Sequence, residues 1–348
     1  MKTRWKAFLA DSGAEFQDDN LVHFGNPVRE RRVALAGLVF ADLDYLGVIA
    51  VHGDDAEKFL QAQLSNDIRN CTGNSSQLSA YCTPKGRILG LARIFRQGDT
   101  FYLRMPADTL EAVLQRLRMY VLRADVTLED ASENFYCIGV SGEQATEEIQ
   151  AAAGQAPEAE SRVLHLDDMS LIRVPGMQPR YEIYASSLET AQSFWDSLNV
   201  RGAPVGSPAW RMLEIQAGLP NIFAANSEAF VPQMVNLQLV DGVSFKKGCY
   251  PGQEIVARMQ YLGTLKRRMY LGHIQQDATI SPGDALYQAG DDAQAVGRIV
   301  DAQPHPDGGH LALAVIRIES AESGDVRLGN ADGPLFEART LPYEFEEQ

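Results

Sequence analysis

Cysteine is scarce in this 348-residue chain. Its four cysteines, Cys71, Cys82, Cys137 and Cys249, are widely spaced and form no C-x-x-C pair, so neither a zinc site nor a disulfide framework is expected. No apolar run is long enough to cross a membrane, because the most apolar stretch, Val33 to Val51, is broken by Asp42 and Asp44 and reads as buried strands. The two acids themselves read as structural groups between apolar runs. A signal peptide is not expected, since Asp11 and Glu15 interrupt the place of its apolar core, and the chain reads as cytoplasmic. Positive charge is also short. Lys and Arg number 31 against 46 Asp and Glu, a net charge of -15 that repels long polyphosphates and speaks against stable nucleic-acid binding. The chain lacks G-x-x-x-x-G-K-[ST], G-x-S-x-G and H-E-x-x-H, so NTPase, esterase-type and zincin chemistries have no local signature. His305 and His310 have no third ligand at metal spacing and read as a surface loop.

What is present describes an ordinary soluble protein of two or three units, 45% hydrophobic and 22% charged. Gly53 to Asp67 reads as a capped helix closing on a polar Ser65-Asn66-Asp67 turn, and Ala80 to Phe95 as a hairpin about Pro84-Lys85-Gly86. A helix is expected from Asp108, with Leu110, Val113, Leu114 and Leu117 on its apolar stripe. From Phe135 the order becomes strand, helix, three strands, helix, which suits a ferredoxin-like α+β unit with an exposed loop at Ala151 to Glu160. Ser207 as N-cap and Pro208 predict the next helix, ended by Gly218 and Pro220. Beyond Lys266, five or six short strands divided by Pro-Gly and Gly-Gly turns suggest a small barrel.

The chemistry concentrates at "SFKKGCYPGQE", Ser244 to Glu254. Lys246 and Lys247 would favour a thiolate at Cys249 if their amines lie beside the sulfur, and Gly248 and Gly252 free the backbone around it. The other reading is a buried cysteine acting as a small hydrophobe. Between Lys246 and Arg268 six basic residues face one acid, Glu254, a local +5 suited to a small anion such as a carboxylate tail or phosphate.

"FKKGCYPGQEIVAR", Phe245 to Arg258, resembles the K-G-C-Y-x-G-Q-E signature of the YgfZ family of folate-binding, tRNA-modifying proteins. That family is related to the T protein of the glycine cleavage system, an aminomethyltransferase that uses tetrahydrofolate. "FLQAQLSNDI", "AYCTPKGRILG", "AGLPNI" and "FVPQMVNLQLVDGVSFKKGCY" follow the family's order. The resemblance implies an α+β protein of three domains around a folate-sized opening: 1–134 with 201–264 for folate, 135–200 ferredoxin-like, and 265–348 as a C-terminal barrel. It puts Asp67 at the catalytic aspartate of the T protein and Gln216 at its pterin-binding glutamate. Further folate contacts would come from Asn66, Lys246, Lys247, Tyr250, Gln253, Glu254 and Arg258.

The cofactor implied is tetrahydrofolate or a one-carbon derivative. Where the T protein has a Gly-Gly followed by paired acids, this chain has Lys85, Gly86 and Arg87, which speaks against aminomethyl transfer. The resemblance instead assigns Cys249 to iron–sulfur cluster assembly or repair, supporting tRNA-methylthiolating enzymes. The partners implied are reduced folate and iron–sulfur assembly or client proteins, with the chain itself a monomer. Two alternatives remain: a one-carbon transferase or demethylase acting at Asp67, and a tRNA-binding module using Lys246 to Arg268.

Overall fold

The computed structural model describes residues 2–17, 20–291 and 293–345. Three sheets carry the architecture. The first is five-stranded and antiparallel, in the spatial order Gln77–Cys82, Ile88–Gln97, Thr100–Pro106, Leu46–His52, Thr127–Asp130. Its hairpin turns where expected: Gly86, at φ +71°, donates to the Thr83 carbonyl and Thr83 to that of Arg87. Helices Ala56–Gln63 and Ala107–Arg118 cover one face, the second burying Leu110, Val113, Leu114 and Leu117 against the strands. The first of these helices is shorter than its sequence pattern, because Leu64 adopts extended backbone and bridges to Tyr81.

The second sheet has six strands: Val163–Leu166, Met169–Val174, Arg180–Ala185, Tyr136–Ser141, Val39–Asp42 and Ala203–Val205. Its last pair is parallel, so segments before and after the 135–200 stretch complete this sheet. Asp42 is buried there, accepts from Trp5 Nε1 at 2.9 Å, and is pushed up to about 8 by burial and by the neighbouring Asp44. Helix Ser207–Gln216 follows. It starts as the sequence indicates, although the cap residue is Gly206 and Ser207 lies in the first turn.

The third sheet orders Val326–Leu328, Ala285–Gln288, Gly297–Pro304, His310–Arg317, Arg267–Ile274 and Phe336–Arg339. A bridge between Arg327 and Leu335 joins its two edges, so it curls toward a barrel. One apolar core links all three parts, from Leu91 and Phe95 through Ile172 and Trp210 to Met269 and Leu313. Among the described residues no helix is long and apolar enough to cross a membrane.

Candidate functional site

The Ser65-Asn66-Asp67 turn and the cysteine loop, some 180 residues apart in sequence, are knitted together. Ser65 Oγ donates to Gly242 O at 2.9 Å, Ser244 N to Ser65 O at 3.0 Å, and Asn66 Nδ2 to Asp241 O at 2.6 Å. The strongest tie is Lys247. Its ammonium donates to the carbonyls of Gln61 (2.7 Å), Asn66 (3.0 Å) and Leu64 at the end of helix Ala56–Gln63, where carbonyls lack helical partners and a cation is favoured. Burial pulls this lysine down to about 8, and its ammonium lies 5.1 Å from the Tyr250 ring centre. All three of its donors are thus committed to the fold. The sequence expected Lys247 beside the thiol or a folate tail; the open carbonyls draw it inward instead.

Asp67 is also engaged. Arg69 Nε donates to it at 2.8 Å and Gln61 Nε2 at 3.1 Å, and the Arg69 hydrogen bond chiefly holds its carboxyl down to about 2. This residue is therefore ionised across the physiological range.

Lysine anchoring leaves the rest of the loop outside. Lys246 and Cys249 are exposed, Tyr250 is buried, and Gly252 turns the chain into helix Gln253–Tyr261. Gly252 sits at φ +83° against the hairpin turn, where a Cβ would lie 2.5 Å from Thr83 O and 2.6 Å from Gly86 Cα. Neither atom can retreat. Gly252→Ala is expected to destabilise the protein by about 2 kcal/mol or more through strain and backbone overlap, read as a lower urea midpoint. A wild-type midpoint would refute this packing. On the helix, Gln253 is half-buried with Nε2 3.4 Å from Lys247 O, while Glu254 and Arg258 face solvent.

Gln216 lies apart from this group, half-buried at the end of helix Ser207–Gln216. Two residues earlier, Glu214 points about 200° around the helix into the protein's interior. There it joins a buried charge cluster that sequence reasoning missed. Arg93 and Arg104 come from the first sheet, Arg180 and Glu182 from the second, and all are buried. Glu182 accepts from Arg104 Nε at 3.1 Å and from Tyr184 OH at 2.7 Å. Glu214 accepts from Tyr45 OH (2.9 Å) and Asn221 Nδ2 (2.8 Å) and pairs with Arg104 at 3.5 Å and Arg180 at 4.0 Å. Three guanidinium groups face two carboxylates. Burial draws Arg93 and Arg180 down to about 10.

A cavity of about 550 Å³ opens behind the cysteine helix, lined by Gln233, Gln238, Leu239, Met259, Arg268 and Phe345 among others. Gln233 Nε2 donates to Val256 O at 2.7 Å, whereas Gln233 Oε1, Gln238 Oε1 and Arg268 Nε are buried without a partner. The Arg268 guanidinium lies 4.5 Å from the Phe345 ring centre. The cavity's volume is in the range of small-molecule and cofactor sites. No group of three or more metal-ligating side chains occurs among the described residues.

Residues 16–247 match the family described as "GCVT N-terminal domain". Relatives named tRNA-modifying protein YgfZ include those of Colwellia psychrerythraea, 31% identical over 87% of this chain and 92% of the relative, and Photobacterium profundum, 32% identical over 93% and 98%. That of Photorhabdus laumondii is 32% identical over 89% and 94%. In fold, the chain is similar to aminomethyltransferase T of the glycine cleavage system from Bartonella henselae, with a TM-score of 0.77 over 97% of this chain and 96% of that one at 17% identity. With its cysteine signature presented on a T-protein-like α+β fold, the chain belongs to the YgfZ family.

Proposed function

We propose that this protein is a folate-binding accessory factor of tRNA modification, acting in the cytoplasm through Cys249 on iron–sulfur enzymes or their assembly proteins. Its relatives' name, tRNA-modifying protein, and its GCVT domain support the reading. The observation that carries it is the cavity beside the signature helix, lined by Gln238, Leu239, Met259, Gln260 and Arg268 among others.

The residues there fit a folate. The pterin ring offers hydrogen-bonding groups that the half-buried amides of Gln238 and Gln260 can meet, Leu239 and Met259 supply apolar walls, and Arg268 can hold a carboxylate. Tetrahydrofolate, when bound, supplies ring nitrogens able to carry a one-carbon unit. The chain's own part is to hold that ring and to present the thiol on the opposite end of the same loop and helix. Asp67 favours the accessory role over one-carbon transfer, because its carboxylate is already taken up by Arg69 and Gln61. One cysteine cannot hold an iron–sulfur cluster alone, so Cys249 would share a ligand position with a partner or exchange with its thiols.

Calorimetric titration with tetrahydrofolate is expected to give saturable heat that weakens with salt, and Arg268→Gln to reduce affinity about tenfold. Bare tRNA should not shift in a gel at submicromolar protein. An absence of heat and of thermal shift with every reduced folate would overturn the folate reading.

A further inference from the structure

A second open cavity of about 580 Å³ lies where the hairpin turn, the 225–234 segment and the barrel edge meet, and Arg87, Arg267 and Arg298 line it. The turn Pro232–Val235 separates it from the first cavity, giving Gln233 to one and Met234 to the other. Arg87 donates to Ala229 O at 2.7 Å, Arg267 to Val296 O at 3.4 Å, and the neighbouring Arg317 to Gln294 Oε1 at 2.6 Å. Among the described residues none of these four arginines has a carboxylate partner. One acid, Glu228, is on the lining.

The strand register makes the crowding worse. Arg267 and Arg317 are directly opposed on neighbouring antiparallel strands, an arrangement that destabilises a sheet when the charges are alike. Arg298 is paired with Val315, two residues from Arg317 on the same strand. Burial, followed by the charges of Arg317, Arg87 and Arg298, lowers Arg267 below its ordinary value. Among the described residues Glu228 is the one acid on the lining, in a protein of net charge -15. Unpaired like charges held around a cavity store repulsion that an anion would relieve.

We propose that this cavity binds a small oligoanion, a molecule or tail bearing two or more phosphate or carboxylate groups. Planar guanidinium forks suit both oxyanions, and the cavity's size together with the acidic body favours a compact ligand over a long nucleic acid. The inference stands independently of the folate reading.

Titration with inorganic tripolyphosphate and with tri-γ-glutamate tests it. At least one probe is expected to bind with a submillimolar Kd that rises with salt, and the one that binds identifies phosphate or carboxylate as the source. Arg298→Gln, at an exposed position, should weaken binding about tenfold while raising or leaving unchanged the melting temperature of the unliganded protein. Arg317→Gln should relieve the same repulsion. Monoglutamyl tetrahydrofolate should bind the Arg298→Gln variant as it binds wild type, so failure of the folate reading and failure of this one give different patterns. Neither probe binding, or both binding Arg298→Gln as tightly as wild type, would overturn the proposal.

Discussion

Alkylation of the native protein at pH 8 is expected to modify Cys249 and to leave Cys71, Cys82 and Cys137 unreacted until denaturant is added. Cys249 is exposed, whereas the other three are buried and their thiols are pushed up to about 12 by desolvation. At pH 8 each buried thiol is ionised in only about one molecule in ten thousand, and the reagent must also reach it. Only one fast thiol should be counted. The same placement separates function from packing in vivo. Cys249→Ser and Cys249→Ala should each abolish complementation of a deletion strain while shifting the melting temperature by no more than a few degrees, as an exposed side chain carries about 0.5 kcal/mol or less. Serine keeps the size and polarity but removes the soft sulfur ligand. Full complementation by Cys249→Ser, together with slow alkylation, would leave Cys249 with no thiol chemistry and folate binding as the argued function.

Much of this site was legible in the sequence because its signals are local. The Lys-Gly-Cys-Tyr run, the Pro-Lys-Gly-Arg turn and the Ser-Asn-Asp turn each carry their geometry in a few residues, and the hairpin and barrel strands followed from turn chemistry. Direction was less legible. Two adjacent lysines look equivalent in sequence, yet Lys246 faces solvent and Lys247 caps a helix end whose carbonyls come from residues 61–66. That asymmetry depends on a tertiary contact no spacing rule contains. Arg93, Arg104 and Arg180 were missed for a related reason. Each interrupts or opens an apolar strand, "LARIF", "FYLRMP" and "RYEIY", and period-2 alternation reads an inward arginine as an outward one. An isolated charge inside an apolar run was the available signal. The arginine cavity was invisible because Arg87 comes from the hairpin turn of the first sheet and Arg267 and Arg298 from two barrel strands, which only the tertiary fold brings together.

Glu214 is where the largest loss of stability is expected. It is buried at the meeting of the first sheet, the second sheet and helix Ser207–Gln216, and is the nearest carboxylate to Arg180 and a second partner for Arg104. Glu214→Gln keeps the shape and can still meet the Tyr45 hydroxyl and Asn221, but it leaves three buried guanidiniums against Glu182 alone. Arg93 already makes only a 3.5 Å contact with Ser76 Oγ, so no spare acid can compensate. Removing one partner from a buried charge cluster costs about 3–5 kcal/mol, because the remaining charge has neither water nor counterion. Urea denaturation should show a midpoint lowered accordingly, with the cysteine loop's reactivity preserved at low denaturant. Arg180→Met in the Glu214→Gln background should then recover part of the loss. Methionine removes the uncompensated charge while filling similar space beside Trp210, whose ring lies 4.5 Å from the guanidinium. If Glu214→Gln is too unstable to purify, recovery of soluble protein in the double variant gives the same answer. A Glu214→Gln midpoint within about 1 kcal/mol of wild type, or a double variant no more stable than the single, would show that the cluster's charges are not what joins the three layers.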